Sequence, residues 1–583
     1  MSGNLRRSFK LALLLNAVIA LLANVAGAQQ QPAPKEDGSA NVISGRISSS
    51  DSQPLTNARV SVSKVSTVGV IGQYLKIDSN GDFQSPPLEP GLYVLSVIAP
   101  GLIRETTTPA SNYLRPGDKV NVKMVKGGVI TGTVKNSNGD ELVAISVRAF
   151  RVKTPNGDPI PVAFGSREVL TDDRGMYRIY GLLAGTYIVS AGGLSRAFGA
   201  VMPTAYEAFV PTYAPSATRD TAMEIQVTNG NESPADIQFR EDRGHVISGA
   251  VTGTTTTEAV QQYSANVVVF DVHSRIEVAS ASALSSSNYA FAVYGVPDGD
   301  YEVYASQGSI TDQKTSSPTR IKVQGADVTG LHLALAPLAS MEGQVTFEDD
   351  PNSECGKHRA NAFAETMISA RRYEPRPPAR DAPPSDVPTS ARSGGRVLPV
   401  DARGFFSFKN LQPGTYQIDP APPPASGWYL RSITLGRNSL ANVSRDGLNL
   451  KRGDHVNGLV VTFAEGAAKF KGHLSVGEGQ VLPSKLRVYL VPAEREAADN
   501  LLRFYEAAAD TDGSFTLDNL APGKYLIVAR RAEERDRGLI KLVRQDEALR
   551  TAVLKEAAAL QKALTVKPCA QINDFDLPYV APR

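Results

Sequence analysis

The chain has 583 residues, with 61 Lys and Arg against 59 Asp and Glu, for a formal net charge of +2. So small a net charge supplies no field to steer the chain onto nucleic acid or an anionic membrane, which excludes the charge-driven binders. Two cysteines exclude a disulfide framework and a four-thiolate metal site, and 49 Gly with 38 Pro act as punctuation and not as a disordered composition.

Arg6, Arg7 and Lys10 flank the start of an apolar run, Leu11 to Leu22, which is followed by Ala26-Gly27-Ala28. This is the charged, apolar, small-residue order of a secretory signal peptide spanning residues 1–28, with cleavage expected after Ala28. The run is shorter than the ~20 residues a spanning helix needs, so no membrane span is expected after cleavage. Arg6-Arg7-Ser8-Phe9 also loosely resembles a twin-arginine export signal. Residues 29–40 are polar and Pro-containing and read as a disordered linker. The mature chain is expected to be secreted, periplasmic or held in the cell envelope.

One pattern then recurs five times: an aliphatic residue, two residues, Gly, any residue and Tyr. The Gly and Tyr are Gly91 and Tyr93, Gly185 and Tyr187, Gly299 and Tyr301, Gly414 and Tyr416, and Gly523 and Tyr525. Intervals of 94, 114, 115 and 109 residues between the tyrosines make this a domain period. An aromatic stands five residues before each aliphatic: Phe83, Tyr177, Phe291, Phe406 and Phe515. Four copies carry Asp-x-x-Gly just ahead of it; the third has Ser286 and Tyr289 there, so its turn must be built differently. Each unit opens on Gly, any residue and an aliphatic, at Gly45, Gly132, Gly249, Gly343 and Gly472.

Asp-x-x-Gly supplies a side-chain acceptor and a residue tolerant of positive φ, as a tight turn requires. Phe406-Ser-Phe408 alternates with period two, and the β-branched and aromatic residues after each Tyr read as a returning strand. Closing strands are expected at Val120–Met124, Ile225–Val227, Leu331–Leu335 and Leu459–Phe463. The expected architecture is all-β: tandem immunoglobulin-like or prealbumin-like β-sandwiches at 41–126, 127–243, 244–340, 341–468 and 469–583. The fourth carries a Pro-rich insertion at 371–396. The fifth carries a C-terminal helix, because Leu549, Val553, Ala557 and Leu560 recur at helical spacing between Asp546 and Leu564. A stretch from Glu494 to Ala509 reads equally as helix or long loop.

These motifs resemble those of the carboxypeptidase regulatory-like domain, a transthyretin-like sandwich also similar to the carbohydrate-binding-like fold, as strung together in exported bacterial proteins. The resemblance covers all five units. It implies an accessory domain that stabilises, spaces or binds and is not itself the peptidase.

The six histidines lie no closer than 18 residues apart and none begins a His-x-x-Glu, so no zinc site, no other cofactor and no catalytic residue is assigned. No Gly-x-Ser-x-Gly elbow or phosphate loop occurs. Asp78-Ser-Asn80-Gly81-Asp82 looks superficially like a calcium loop, but it coincides with the recurring turn. Trp428 and Tyr429 are the candidate ligand platform, because sugar faces stack on exposed rings; at most one of the two is expected to serve, since neighbouring strand residues face opposite ways. The competing reading packs Trp428 at the boundary of units four and five. Cys355 and Cys569 are a candidate disulfide joining those units, or two separate small apolar residues. The function expected is a non-catalytic, exported binding or spacer protein whose partner is a polysaccharide or a cell-envelope or extracellular protein. The alternative is an accessory or hydrolytic, peptidase-associated protein with an unrecognised active site.

Overall fold

The computed structural model describes residues 41–580 except 66–71, 105–112, 158–159, 161–166, 194–204, 255–263, 274–276, 309–311, 351–354, 356–362, 374–394, 424–425, 437–442, 478–479, 495–498 and 534–539. The expected export segment, the linker after it and most of the Pro-rich insertion lie outside the described residues.

The described chain is a succession of antiparallel sandwiches built to one plan. In each, the opening strand pairs on one side with the aromatic strand of the hairpin and on the other, in parallel, with a closing strand. Thus Ser44–Ser49 lies between Asp82–Gln84 and Lys119–Lys126, and Ala339–Glu348 lies between Phe405–Leu411 and His455–Glu465. The second layer packs the returning Tyr strand against the strand that follows the opening one, as Tyr93–Ile98 does on Arg59–Lys64 and Gly523–Arg531 on Leu486–Pro492. In the third unit Gln313–Ser316 pairs with both layers and joins them into one eight-stranded sheet.

The opening Gly and the hairpin aromatic turn out to be cross-strand partners in every copy. Gly45 faces Phe83, Gly132 faces Tyr177, Gly249 faces Phe291, Gly343 faces Phe406 and Gly472 faces Phe515. A Cβ on Gly343 would sit 2.4 Å from the Phe406 ring and 2.6 Å from the Leu459 carbonyl, so only glycine lets the ring lie across the strand. The aliphatic two residues on, Ile47, Val134, Val251, Val345 or Leu474, points into its own core. Each such fully buried side chain contributes about 1.5–3 kcal/mol over its exposed state.

The Asp turns form as the spacing demands. Asp401 Oδ1 accepts from the amides of Arg403 and Phe405, both at 2.8 Å, and Asp78 and Asp172 do the same in their units. The Asp78 oxygen thus serves the turn that the calcium-like reading overlaps. In the third copy, a 3-10 turn at Ser285–Ser287 leads into Asn288 and Tyr289, both in the left-handed region at φ 52° and 55°. Asn tolerates that conformation and the buried Tyr289 is held in it by its core.

One expectation needs correction. Ile225–Val227 pairs with Gly185–Ala191 in the second layer, and the parallel partners of the opening strand in unit two are Glu232–Pro234 and Ile237–Gln238. A turn at Thr228–Asn231 carries the chain across between sheets, so alternation identified a strand but not its layer. The C-terminal helix runs from Glu547 to Leu560, capped by Asp546, whose carboxylate accepts from the Leu549 amide at 2.9 Å; Leu549, Val553 and Ala557 are buried, whereas Leu560 is exposed. After it, Ala563–Val566 is a strand against the Tyr525 strand. The 494–509 stretch holds a 3-10 turn at Leu501–Arg503 and a strand at Tyr505–Ala508.

Units one and two, and units three and four, meet almost without linkers. The strand Lys119–Lys126 is followed by Gly128–Lys135, and Val328–Pro337 by Ala339–Glu348, with one residue between each pair. Arg452 of unit four donates to the carbonyls of Thr315 and Ser316 in unit three at 2.7 and 3.0 Å. No helix among the described residues is long and apolar enough to cross a membrane.

Candidate functional site

The recurring Gly and Tyr positions are fully engaged by the fold. Each repeat Tyr is buried and donates its hydroxyl to the carbonyl four residues earlier: Tyr93 to Glu89, Tyr187 to Leu183, Tyr301 to Pro297, Tyr416 to Gln412 and Tyr525 to Ala521, at 2.7–2.9 Å. Burial pushes the phenols of Tyr93, Tyr187, Tyr301 and Tyr525 above their ordinary value. The glycines before them, Gly91, Gly185, Gly414 and Gly523, have φ between 141° and 153°; at Gly299 a Cβ would touch the Tyr301 hydroxyl at 2.8 Å.

Trp428 is only 4 % exposed. Its ring lies in the core of unit four, edge-on to Phe347 at 4.8 Å, on a strand paired with His455–Glu465. A ring with both faces inside a core offers none to a sugar, so the structure places it as packing. Tyr429 is half-buried on the opposite side of that strand. Cys355 and Cys569 are joined, with Cα atoms 5.6 Å apart across 214 residues, beside the junction of units four and five. There Gly466 and Ala467 both donate to the Gly427 carbonyl at 3.0 Å, and Leu502 of unit five lies within the core of unit four.

That junction also encloses a cleft of about 310 Å³, walled by Arg371, Gln417 and Asp419 of unit four and by Tyr505, Glu506 and Arg544 of unit five, among others. Arg544 bridges it: its Nε donates to the Phe504 carbonyl at 2.7 Å, its Nη1 lies 3.6 Å from Asp419, and its guanidinium stands 5.2 Å from the centre of the Tyr505 ring. Burial raises the Glu506 carboxyl above its ordinary value; Arg487 at 3.6 Å and the Val543 amide at 3.3 Å oppose the rise and Asp419 adds to it. A carboxyl with a raised pKa beside fixed cations in a concave interdomain wall is the chemistry expected of a polar ligand site. Its lining spans residues 371–545, so no short motif could announce it. Part of the lining falls in Glu494–Ala509, a stretch the sequence leaves open between helix and loop.

Among the described residues no group of three or more His, Cys, Asp or Glu is placed to hold a metal ion. His455 Nδ1 shares a hydrogen with Ser340 Oγ at 2.7 Å, His473 Nε2 meets the Asp512 carbonyl at 2.5 Å, and His245 lies 3.2 Å from Asp298, three separate places in the fold.

Among solved structures, the chain is similar to the Bacillus anthracis TIE protein at 9 % identity, over 90 % of this chain and 76 % of that one, with a TM-score of 0.14. It is similar to BcpA, the major pilin subunit of Bacillus cereus, at 12 % identity over 51 % and 99 %, with a TM-score of 0.12. The shaft pilin SpaA from Lactobacillus rhamnosus GG shares 11 % identity over 34 % of this chain and 97 % of its own, with a TM-score of 0.17. No curated protein matches the chain. The sandwich that opens on Gly45 and closes on Lys119–Lys126 carries the sequence match: residues 42–125 match the model of the carboxypeptidase regulatory-like domain.

Proposed function

We propose that the chain is an exported, non-catalytic multi-domain protein whose sandwiches act as a stiff spacer and present a binding cleft between units four and five. The observation that carries this reading is the division of labour among residues. Positions that repeat are spent on turns, Gly–aromatic pairs and Tyr corners, while the polar residues peculiar to units four and five collect in the cleft around Arg544 and Glu506. The single residues between units one and two and between units three and four, and the Cys355–Cys569 staple between units four and five, support the spacer role, because those neighbours then have little freedom to reorient. The partner proposed is a polysaccharide or a cell-envelope or extracellular protein. Side-chain acceptors and donors at Asp419, Gln417 and Arg371 suit either, and Trp428 does not form part of the surface.

An array of polysaccharides and envelope proteins probed with the mature chain and with Arg371→Ala/Gln417→Ala tests the proposal. A ligand retained by the wild type and lost by the double variant supports the cleft. A wild type that retains nothing from either set overturns the binding part, and a ligand held equally by both proteins moves its site elsewhere.

A further inference from the structure

The second layer of unit five ends on the strand Tyr505–Ala508, which pairs with Leu486–Pro492 and has no strand on its other side among the described residues. The register sets Tyr505 opposite Leu490 and Ala507 opposite Val488, and the Ala509 amide donates to the Leu486 carbonyl at 3.0 Å. Hydrogen-bonded and non-bonded pairs alternate along an antiparallel ladder. Tyr505 and Ala507 therefore direct their backbone groups to that neighbour, while Glu506 and Ala508 turn theirs away from the sheet. Among the described residues neither backbone finds a partner on that side. The preceding group there, the Phe504 carbonyl, is taken by Arg544 Nε at 2.7 Å. Glu506 lines the cleft of about 310 Å³ between units four and five, and Ala508, two residues on, is exposed.

The geometry points to strand addition: an extended segment of a partner protein pairs with the Glu506–Ala508 edge and runs through the cleft. This inference rests on the reading of that cleft as the binding site and narrows its partner to a polypeptide. A strand edge offers one N–H and one C=O at every second residue, a spacing of about 6.7 Å that an extended peptide matches and a sugar ring does not. Open edges are usually blunted by Lys, Pro or a bulge, because they recruit other strands. Tyr505-Glu506-Ala507-Ala508 carries neither Lys nor Pro, and its register runs without a bulge. The adjoining edge strand, Ser514–Leu520, is instead tied to unit four, where Asn519 Nδ2 donates to the Pro423 carbonyl at 3.4 Å. The opposite wall supplies selectivity. Arg371 and Gln417 face each other on paired strands of unit four, with Asp419 two residues on. Main-chain pairing gives affinity, and an acidic or amide side chain of the added strand that reaches Arg371 and Gln417 gives specificity. Arg544, bonded to the Phe504 carbonyl and 3.6 Å from Asp419, holds the two walls at a fixed separation, so the slot is preformed.

A random-peptide library displayed on phage and selected on the oxidised mature chain supplies the probe. Enriched peptides are resynthesised with a single N-methyl group at each position in turn and titrated calorimetrically. N-methylation should weaken binding about tenfold or more at every second position, where an amide faces the edge, and about threefold or less between them. Ala508→Pro removes the outward amide without disturbing the pairing to Leu486–Pro492 and should weaken binding by a similar factor. If that variant loses its β-structure by circular dichroism, the N-methyl pattern decides alone, since it leaves the protein unaltered. A selection that enriches nothing overturns the inference, as do losses without alternation or a folded Ala508→Pro that binds like the wild type. A polysaccharide lost by Arg371→Ala/Gln417→Ala but held by Ala508→Pro would overturn strand addition and leave the cleft standing. Retention of neither peptide nor polysaccharide nor envelope protein would overturn both.

Discussion

Tyr416 donates its hydroxyl to the Gln412 carbonyl at 2.9 Å, closing the hairpin turn of unit four from inside its core. The same bond, from Tyr to the carbonyl four residues back, occurs in all five units. Removing only the hydroxyl leaves that carbonyl without its donor. Tyr416→Phe should therefore destabilise unit four by about 1 kcal/mol, and Tyr416→Ala, which also empties a core position, by about 3–5 kcal/mol. Urea unfolding followed by Trp428 fluorescence reads this unit directly. An unchanged midpoint in Tyr416→Phe would show the bond to be dispensable.

Alkaline titration should expose the same design. Burial raises Tyr93, Tyr187, Tyr301 and Tyr525 in the folded chain, whereas they ionise near their ordinary value of about 10 once unfolded. A raised folded value means that stability is fully present below about pH 10 and is lost as pH rises from there through the raised values. Phenolate absorbance from these four rings should thus appear only above about pH 10 and rise together with loss of β-structure. Smooth titration of all tyrosines near pH 10 with the fold intact would contradict this.

The Gly–aromatic pair predicts a sharp steric limit. Gly343→Ala puts a methyl against the Phe406 ring and the Leu459 carbonyl, and the partner strand is backbone that cannot swing away. A loss of about 2 kcal/mol or more is expected, again read through Trp428. Ser407→Ala, on the outer face of the neighbouring strand, should change stability by no more than about 0.5 kcal/mol.

The staple between units four and five predicts coupled unfolding. Cys355 and Cys569 close 214 residues, so Cys355→Ser/Cys569→Ser should lower stability by about 2–4 kcal/mol. Calorimetry of the oxidised chain should show units four and five melting together, with the Trp428 transition moving to lower temperature in the double variant. Identical melts with and without the bond would make the shared Leu502 contact sufficient by itself.

Glu506 is raised by burial, so its contribution runs opposite to that of an ion-paired surface carboxylate. Stability from this group is complete below the unfolded carboxyl value, about 4.3, and declines as pH rises through the raised folded value. Glu506→Gln removes that decline while keeping the shape of the cleft. At pH 7 the variant should match or slightly exceed the wild type, within about 1 kcal/mol, and its stability should be flatter between pH 4 and neutrality. A large loss at pH 7 would mean that the Arg487 contact dominates.

The repeat was legible because it is local. Asp401-to-Gly404 turns, the alternation of Phe406 and Phe408 and the Gly414-to-Tyr416 corner each lie within a few residues, and steric limits on turns and strands act over that range. The helical spacing of Leu549, Val553 and Ala557 was legible for the same reason, since one face of a helix repeats every three or four residues. The layer of Ile225–Val227 was not, because alternation marks a buried face without saying which sheet owns it. Trp428 shows the limit for function: a tryptophan in a strand has the same local signature whether its ring faces solvent or Phe347.

By itself, the sequence determined the tandem β-sandwich fold class and the recurring turn and corner residues, all consequences of short-range backbone and packing rules. Tertiary structure alone decided that Cys355 meets Cys569, that Arg371, Asp419, Glu506 and Arg544 share one cleft, and that Arg115 reaches Glu365. Those groups are scattered over tens to hundreds of residues. Only the angles at which successive sandwiches abut bring them together, and those angles follow from contacts between units, not from the pattern within any one of them.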